Sequence, residues 1–176
     1  MSTDAVQRLL QERGIRYALI GAVGFAARQY PRATYDTDFL TVNRTVLEEE
    51  FWTPLVEQGL SVDIRIGDFD DPLTGVVRIT APGTPRIDVV VAKYRWQREV
   101  LDRAEPLPFE GSIVPVPRLA DLLLLKLFAG GYEDRMDIHR VLAGPDREAL
   151  IVEVETRLED LPGDARALWR EIVAAP

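Results

Sequence analysis

The sequence predicts a mixed α/β chain whose last third is helical, and three observations carry that reading. β-patterned runs alternate with helical segments up to Pro117. Two of those runs, 75–81 and 86–92, flank Pro82-Gly83-Thr84-Pro85, a hairpin signal with turn residues at its centre. Beyond residue 118 only helical patterns follow, bounded by Pro145 and Pro162. We expect an α/β part over 1–117 and a helical region over 118–176 packed on it as a single compact unit. A chain of 176 residues with 47% hydrophobic content can bury roughly 70% of its unfolded surface without covalent staples.

Taken in order, Val6, Leu9 and Leu10 lie at helical spacing after the capping residues Ser2 and Thr3, and Gly14 stops a helix over about 4–13. Arg16 to Ile20 reads as a buried strand, and Gly21 turns it into a small-residue helix over 22–29 that ends near Tyr30-Pro31. Residues 34–42 form the next strand, and Thr45 with Glu48 reads as a capping box for a helix reaching about Gln58. Val62 to Ile66 reads as a short strand, and the hairpin strands should pair antiparallel. A helix over 94–102, a strand over 113–116, and helices over 119–128, 134–142, 146–158 and 164–174 complete the series.

Composition excludes several chemistries. Twenty-one Lys plus Arg against 29 Asp plus Glu give 21 − 29 = −8, which disfavours broad, nonspecific nucleic-acid binding. With no cysteine there is no disulfide, thiolate ligand or thiol nucleophile. The longest near-apolar stretch, 17–27, is about half the roughly 20 residues that span a bilayer, and the first residues lack a basic segment followed by an apolar core. The expectation is a cytoplasmic protein with no membrane partner. The single histidine, His139, cannot build a histidine metal site alone, and Trp52, Trp96 and Trp169 read as core or interface residues.

The chemistry concentrates in carboxylates. Asp36 and Asp38 are one residue apart in a strand, so both leave the same face. Like charges that close repel unless a cation sits between them, and a hard divalent ion with oxygen ligands, Mg²⁺ above all, is the usual reason for such a pair. Asp88, inside the apolar run Ile87-Asp-Val-Val-Val-Ala92, is the natural third ligand, because burying it unpaired would be expensive. The bland alternatives stand beside these readings: an Asp-x-Asp also caps turns or faces water, and Asp88 could pair with Arg78 or Arg86. Upstream, Gly21-Ala22-Val23-Gly24 follows a strand and opens a helix, offering backbone N–H groups to phosphate or simply packing tightly against the sheet.

Residues 17–40, Tyr-Ala-Leu-Ile-Gly-Ala-Val-Gly-Phe-Ala-Ala-Arg-Gln-Tyr-Pro-Arg-Ala-Thr-Tyr-Asp-Thr-Asp-Phe-Leu, resemble the opening of the nucleotidyltransferase superfamily, in particular the AbiEii-like and related minimal nucleotidyltransferases. There a Gly-Gly or Gly-Ser turn precedes Arg-x-Thr-x-Asp-x-Asp. A second stretch, 117–138, is similar to that group's helix ending in Lys-Leu-x-Ala and the Lys-Asp-x-x-Asp-like segment after it. The resemblance implies a nucleotidyltransferase core over 1–117, a small mixed β-sheet flanked by helices, followed by the helical 118–176 region. It implies that Asp36, Asp38 and Asp88 hold Mg²⁺, two ions about 4 Å apart in a two-metal scheme, and an NTP, with Asp88 also a candidate general base. Gly21, Ala22, Arg32, Thr34 and Lys126 fall at nucleotide-binding positions. Ala22 carries no hydroxyl, so phosphate there would be held by backbone amides alone, and Glu133 stands where a basic residue often precedes Asp134. Asp134 and Asp137, three residues apart on a helix, read as salt-bridge partners of Lys126 or Arg135.

The expected reaction moves an NMP from an NTP to a hydroxyl acceptor. One form of it is a toxin of a toxin–antitoxin pair acting on RNA or protein, with a cognate antitoxin as partner. Another is an antibiotic nucleotidyltransferase of aminoglycoside type, which the acidic charge suits. A third is a non-catalytic module of the same fold that keeps the carboxylates for binding. An RNA acceptor would depend on a few cations such as Arg28, Arg32, Arg44 and Lys126.

Overall fold

The computed structural model describes residues 2–109 and 111–175. Among these, eight α-helices and seven strands follow in the order α1 (Ser2–Glu12), β1 (Tyr17–Ile20), α2 (Gly21–Ala27), β2 (Asp36–Thr41), α3 (Glu49–Val56), β3 (Ser61–Ile66), β4 (Gly75–Thr80), β5 (Arg86–Val91), α4 (Arg95–Asp102), β6 (Glu105–Phe109), β7 (Ser112–Val116), α5 (Leu119–Ala129), α6 (Tyr132–Leu142), α7 (Arg147–Glu155) and α8 (Gly163–Ala174). The five-stranded sheet runs β1-β2-β5-β4-β3. β2 and β5 are parallel and the other neighbours antiparallel, including the expected β4–β5 hairpin. The fold is thus the mixed sheet flanked by helices that the sequence implies.

Strand alternation decides which helices cover which face. Tyr17, Leu19, Phe39, Val77, Ile79, Ile87 and Val89 point to one side and pack with Val6 and Leu10 of α1 and Trp52 of α3. Ala18 and Leu40 point to the other, where Leu122, Leu123 and Leu127 of α5, Ile138 of α6 and Trp169 of α8 close over them. Asp36, Asp38 and Leu40 share parity on β2, as do Asp88 and Val90 on β5, so the carboxylates lie on the side of the C-terminal helices. All three tryptophans are core residues, with Trp52 at 0%, Trp96 at 6% and Trp169 at 1% exposure, and His139 is on the surface. No helix among the described residues is long and apolar enough to cross a membrane.

Two local expectations fail for identifiable reasons. The helix expected from Thr45 divides, because Asn43 captures Thr45: its Oδ1 accepts from the Thr45 amide at 3.0 Å and from its hydroxyl at 2.8 Å. That caps a 3₁₀ turn, Arg44–Leu47, and Glu48 is extended before α3 begins. The Thr45–Glu48 capping box therefore does not form. The second miss is β6, whose Glu-Pro-Leu-Pro-Phe sequence argues against a strand. It pairs with β7 in a separate two-stranded ribbon where Pro106 lies opposite Pro115 and Pro108 opposite Ile113. The prolines thus fall in one alternate set of ladder pairs, leaving Glu105, Leu107 and Phe109 to make the bonds.

Candidate active site

β2 and β5 are far apart in sequence, yet their parallel pairing sets Asp38 directly beside Asp88 and Asp36 beside Arg86. Across the antiparallel edge, Asp38 faces Ile20, the last residue before the glycine turn. Gly21 there has φ +64°, and a Cβ on it would stand 2.1 Å from Asp38 Oδ2. Only glycine both adopts that backbone and leaves room for the carboxylate. Gly24 serves packing instead: a Cβ there would meet the Leu19 carbonyl oxygen at 2.9 Å and Leu122 at 3.3 Å. Ala22 is buried at 3% exposure.

The electrostatics of this corner are strained. Burial first, then the charges of Asp88 and Asp36, push the Asp38 carboxyl up to about 6, against the weaker pull of Lys126 and Arg86. Asp88, only 8% exposed, is gripped by Arg78 in a two-pronged contact, Nε to Oδ1 at 3.0 Å and Nη2 to Oδ2 at 3.1 Å. The partnership raises the Arg78 pKa. Arg86 reaches Asp36 as well as Asp88, with Nη2 on Asp36 Oδ2 and Nε 3.4 Å from Asp88 Oδ2. Both arginines are candidates for Asp88 from the sequence; nothing there signals that Arg86 also bridges to Asp36.

Lys126 and Arg32 converge behind the carboxylates on a second cluster. Lys126 Nζ donates to Asp134 Oδ1 at 2.6 Å and lies 3.0 Å from Asp137 Oδ2. Burial works to lower its pKa, but the bonds and charges of Asp134 and Asp137 outweigh it, and the ammonium is held above its usual range. Arg32 Nε lies 2.8 Å from Asp137 Oδ1 and its Nη2 lies 3.7 Å from Glu133. The salt bridge expected for Asp134 and Asp137 is present, and buried Asp137 is the hub that joins α5, α6 and the segment before β2. Thr34 is tied to the backbone of Asp36, its Oγ1 accepting from that amide at 3.3 Å. Arg28 is fully engaged elsewhere, on Glu105 at 2.8 Å and on the carbonyls of Pro117 and Val116 at 2.9 Å each. It is not available to an RNA acceptor.

Among the described residues no three His, Cys, Asp or Glu side chains converge tightly enough to hold a metal ion. The carboxylates are instead paired with two guanidiniums: Arg86 contacts both Asp36 and Asp88, and Arg78 bonds both oxygens of Asp88. The donor chemistry nevertheless fits a hard divalent cation. Three carboxylates occupy adjoining positions on two strands, the Asp38 charge is destabilised by burial and then by the other two, and a guanidinium already contacts Asp36 and Asp88 as countercharge.

No protein-family model matches the sequence, and no curated protein does. Solved structures do. The solution structure of the antibiotic-resistance factor ANT(2″)-Ia aligns with TM-score 0.57 and 14% identity over 96% of this chain and 89% of that one. A nucleotidyltransferase-type protein of Thermotoga maritima aligns with TM-score 0.54 and 13% identity over 81% of this chain and 92% of that one. The chain has the nucleotidyltransferase fold. A crystal structure of ANT(2″)-Ia with adenylyl-2″-tobramycin also aligns, at TM-score 0.55 and 13% identity over 96% and 95% of the two chains. At these identities the likeness is one of fold, and chemistry must be argued from the carboxylate corner itself.

Proposed function

We propose that the chain is a nucleotidyltransferase that moves an NMP from an NTP to a hydroxyl and releases pyrophosphate. The observation that carries this is the register that places Asp38 beside Asp88, with Asp36 on the same face and the Gly21 turn in contact with Asp38. Asp36, Asp38 and Asp88 would hold Mg²⁺, which when bound supplies countercharge to the triphosphate and polarises the reacting phosphorus. Asp88 would accept the acceptor's proton once its arginine partners release it. Asp36 and Asp38 orient the nucleotide from the neighbouring strand, and the Gly21-Ala22 backbone lies where phosphate oxygens would approach. Arg86 must leave its bridging position for a metal to enter, and from there its guanidinium can follow the triphosphate. Lys126, Arg32 and Thr34 support the corner, Lys126 through its charge and Thr34 through the Asp36 backbone.

The acceptor reading that the sequence favours first is an RNA or protein hydroxyl, in the manner of an AbiEii-like toxin kept in check by a cognate antitoxin. A small cationic acceptor of aminoglycoside type is the second reading, supported by the net charge of −8 and by the likeness to ANT(2″)-Ia. The chain incubated with each labelled NTP and Mg²⁺, together with tobramycin, total RNA or total protein, should label one acceptor class. Asp36→Ala and Asp38→Ala should abolish the labelling. Absence of product with all four NTPs, or product formation unchanged in both variants, refutes the reading.

A further inference from the structure

Of the four cations that the sequence offers to an anionic acceptor, Arg28, Arg32 and Lys126 are tied to carboxylates. Arg44 is not, and it lies elsewhere. It lines a concavity of ≈ 540 Å³ at the opposite end of β2 and β5, beside Val42 and Ala92, which directly follow those strands. Val42 lies four positions beyond Asp38, about 13 Å along an extended strand. The other charged lining residues are Lys93, Arg95 and Arg98, with Thr74 and Tyr94 between them, and none of the lining residues is acidic.

That composition is unusual in a chain of net charge −8, where most arginines are neutralised by carboxylates, as Arg16 is by Asp102, Arg103 by Asp121 and Arg157 by Asp160. Around this cavity the balance reverses. The side chains of Arg44 and Arg98 make no ion pair or hydrogen bond with any described residue. Arg95 has only a solvent-exposed contact of 3.3 Å with Glu99 on its own helix. Lys93 is spent on a neighbouring loop: its Nζ donates to the carbonyls of Asp68, Phe69 and Asp71 at 3.2, 2.6 and 2.8 Å. The acids of that loop are spent on its own backbone: Asp68 Oδ1 accepts from the amides of Asp70 and Asp71, and Asp71 Oδ2 accepts from the amide of Asp68. Two uncompensated guanidiniums, a third only loosely held and a built wall with no carboxylate in it make a receptor for anions with several oxygens, because the planar donor fork matches phosphate.

We propose that this cavity is a phosphate-binding site separate from the carboxylate corner, taking either a free oligophosphate or the phosphates of a single-stranded RNA. It does not rest on the nucleotidyl-transfer reading. The test uses the full chain in EDTA at low salt, with inorganic tripolyphosphate titrated by calorimetry and a short single-stranded RNA by fluorescence anisotropy. The wild type should bind at least one of the two probes. Arg44→Ala/Arg98→Ala should weaken that binding at least tenfold and flatten its salt dependence, with an unchanged melting temperature because both side chains are unpaired. Arg8→Ala/Arg170→Ala, which removes equal charge from exposed positions on α1 and α8, should leave it intact. Binding of tripolyphosphate alone identifies a small-anion site, and binding of RNA alone identifies a backbone contact; each supports the site. Failure of both probes to bind the wild type, unchanged binding in the Arg44/Arg98 variant, or an equal loss in the Arg8/Arg170 control overturns it.

Discussion

Replacing Asp38 by asparagine should stabilise this protein, and the size of the gain follows from the burial of its carboxylate and then from the charges crowded against it. The carboxyl is pushed from 3.8 to about 6, by burial first and then by Asp88 and Asp36. A rise of that size is equivalent to about 3 kcal/mol against the charged form. The folded chain holds this proton more tightly than the unfolded chain does, so between pH 4 and 6 the folded state binds more protons and stability falls as pH rises. The penalty is small at pH 4 and fully present well above pH 6. Asp38→Asn keeps the shape against Gly21 and removes the charge. In urea unfolding with EDTA it should gain up to about 3 kcal/mol at pH 8, or roughly 6–12 °C in melting temperature for a chain of this size, and little at pH 4. A variant no more stable than wild type at pH 8 would refute the reasoning. So would an equal gain at both pH values, since that would trace the effect to packing.

Two other substitutions probe the surroundings of that residue. Lys126→Met leaves Asp134 without its ammonium and the buried Asp137 with Arg32 and Arg140 alone, and should cost about 1–3 kcal/mol in urea unfolding, a loss that Asp134→Asn in the same chain should partly recover while Asp137 keeps its arginines. If Lys126→Met is neutral, the cluster does not brace α5 against α6. Gly21→Ala forces a side chain into φ +64° and into the space of Asp38 Oδ2, at a cost of about 1–3 kcal/mol in thermal unfolding. It should also displace the carboxylate, so that the pH-dependent gain from Asp38→Asn shrinks in the alanine background.

Element positions are largely legible in the sequence because their signals are local. Gly14 and Gly59 end helices, Pro82-Gly83 turns a hairpin, and the apolar spacing of α1, α5 and α8 marks their buried faces. The failures are also local in origin but tertiary in cause. β6 forms despite two prolines because β7 offers a partner whose ladder does not need their amides. Asn43 outcompetes Thr45 as a cap, a contest between neighbouring side chains that spacing alone does not decide. In the site, Asp36, Asp38 and Asp88 stand out as carboxylates in β-runs. The clamp of Lys126 on Asp134 and Asp137 is legible too, since all three lie on consecutive helices joined by Gly130-Gly131.

By itself, the sequence determined that Asp36 and Asp38 leave one face of a strand, because a period of two is a property of extended backbone. It also determined that the chain carries more acid than base. The tertiary structure decided which charges meet. The parallel pairing of β2 with β5 joins residues about 50 positions apart, and one step of register would move Asp88 to the opposite face of the sheet. From that register follow the strain on Asp38, the bridge of Arg86 between Asp36 and Asp88, and the hold of Arg78 on Asp88. At the far end of the same strands Arg44 and Arg98 have no ion pair among the described residues, because charge compensation acts over a few ångströms in space and composition records only its sum.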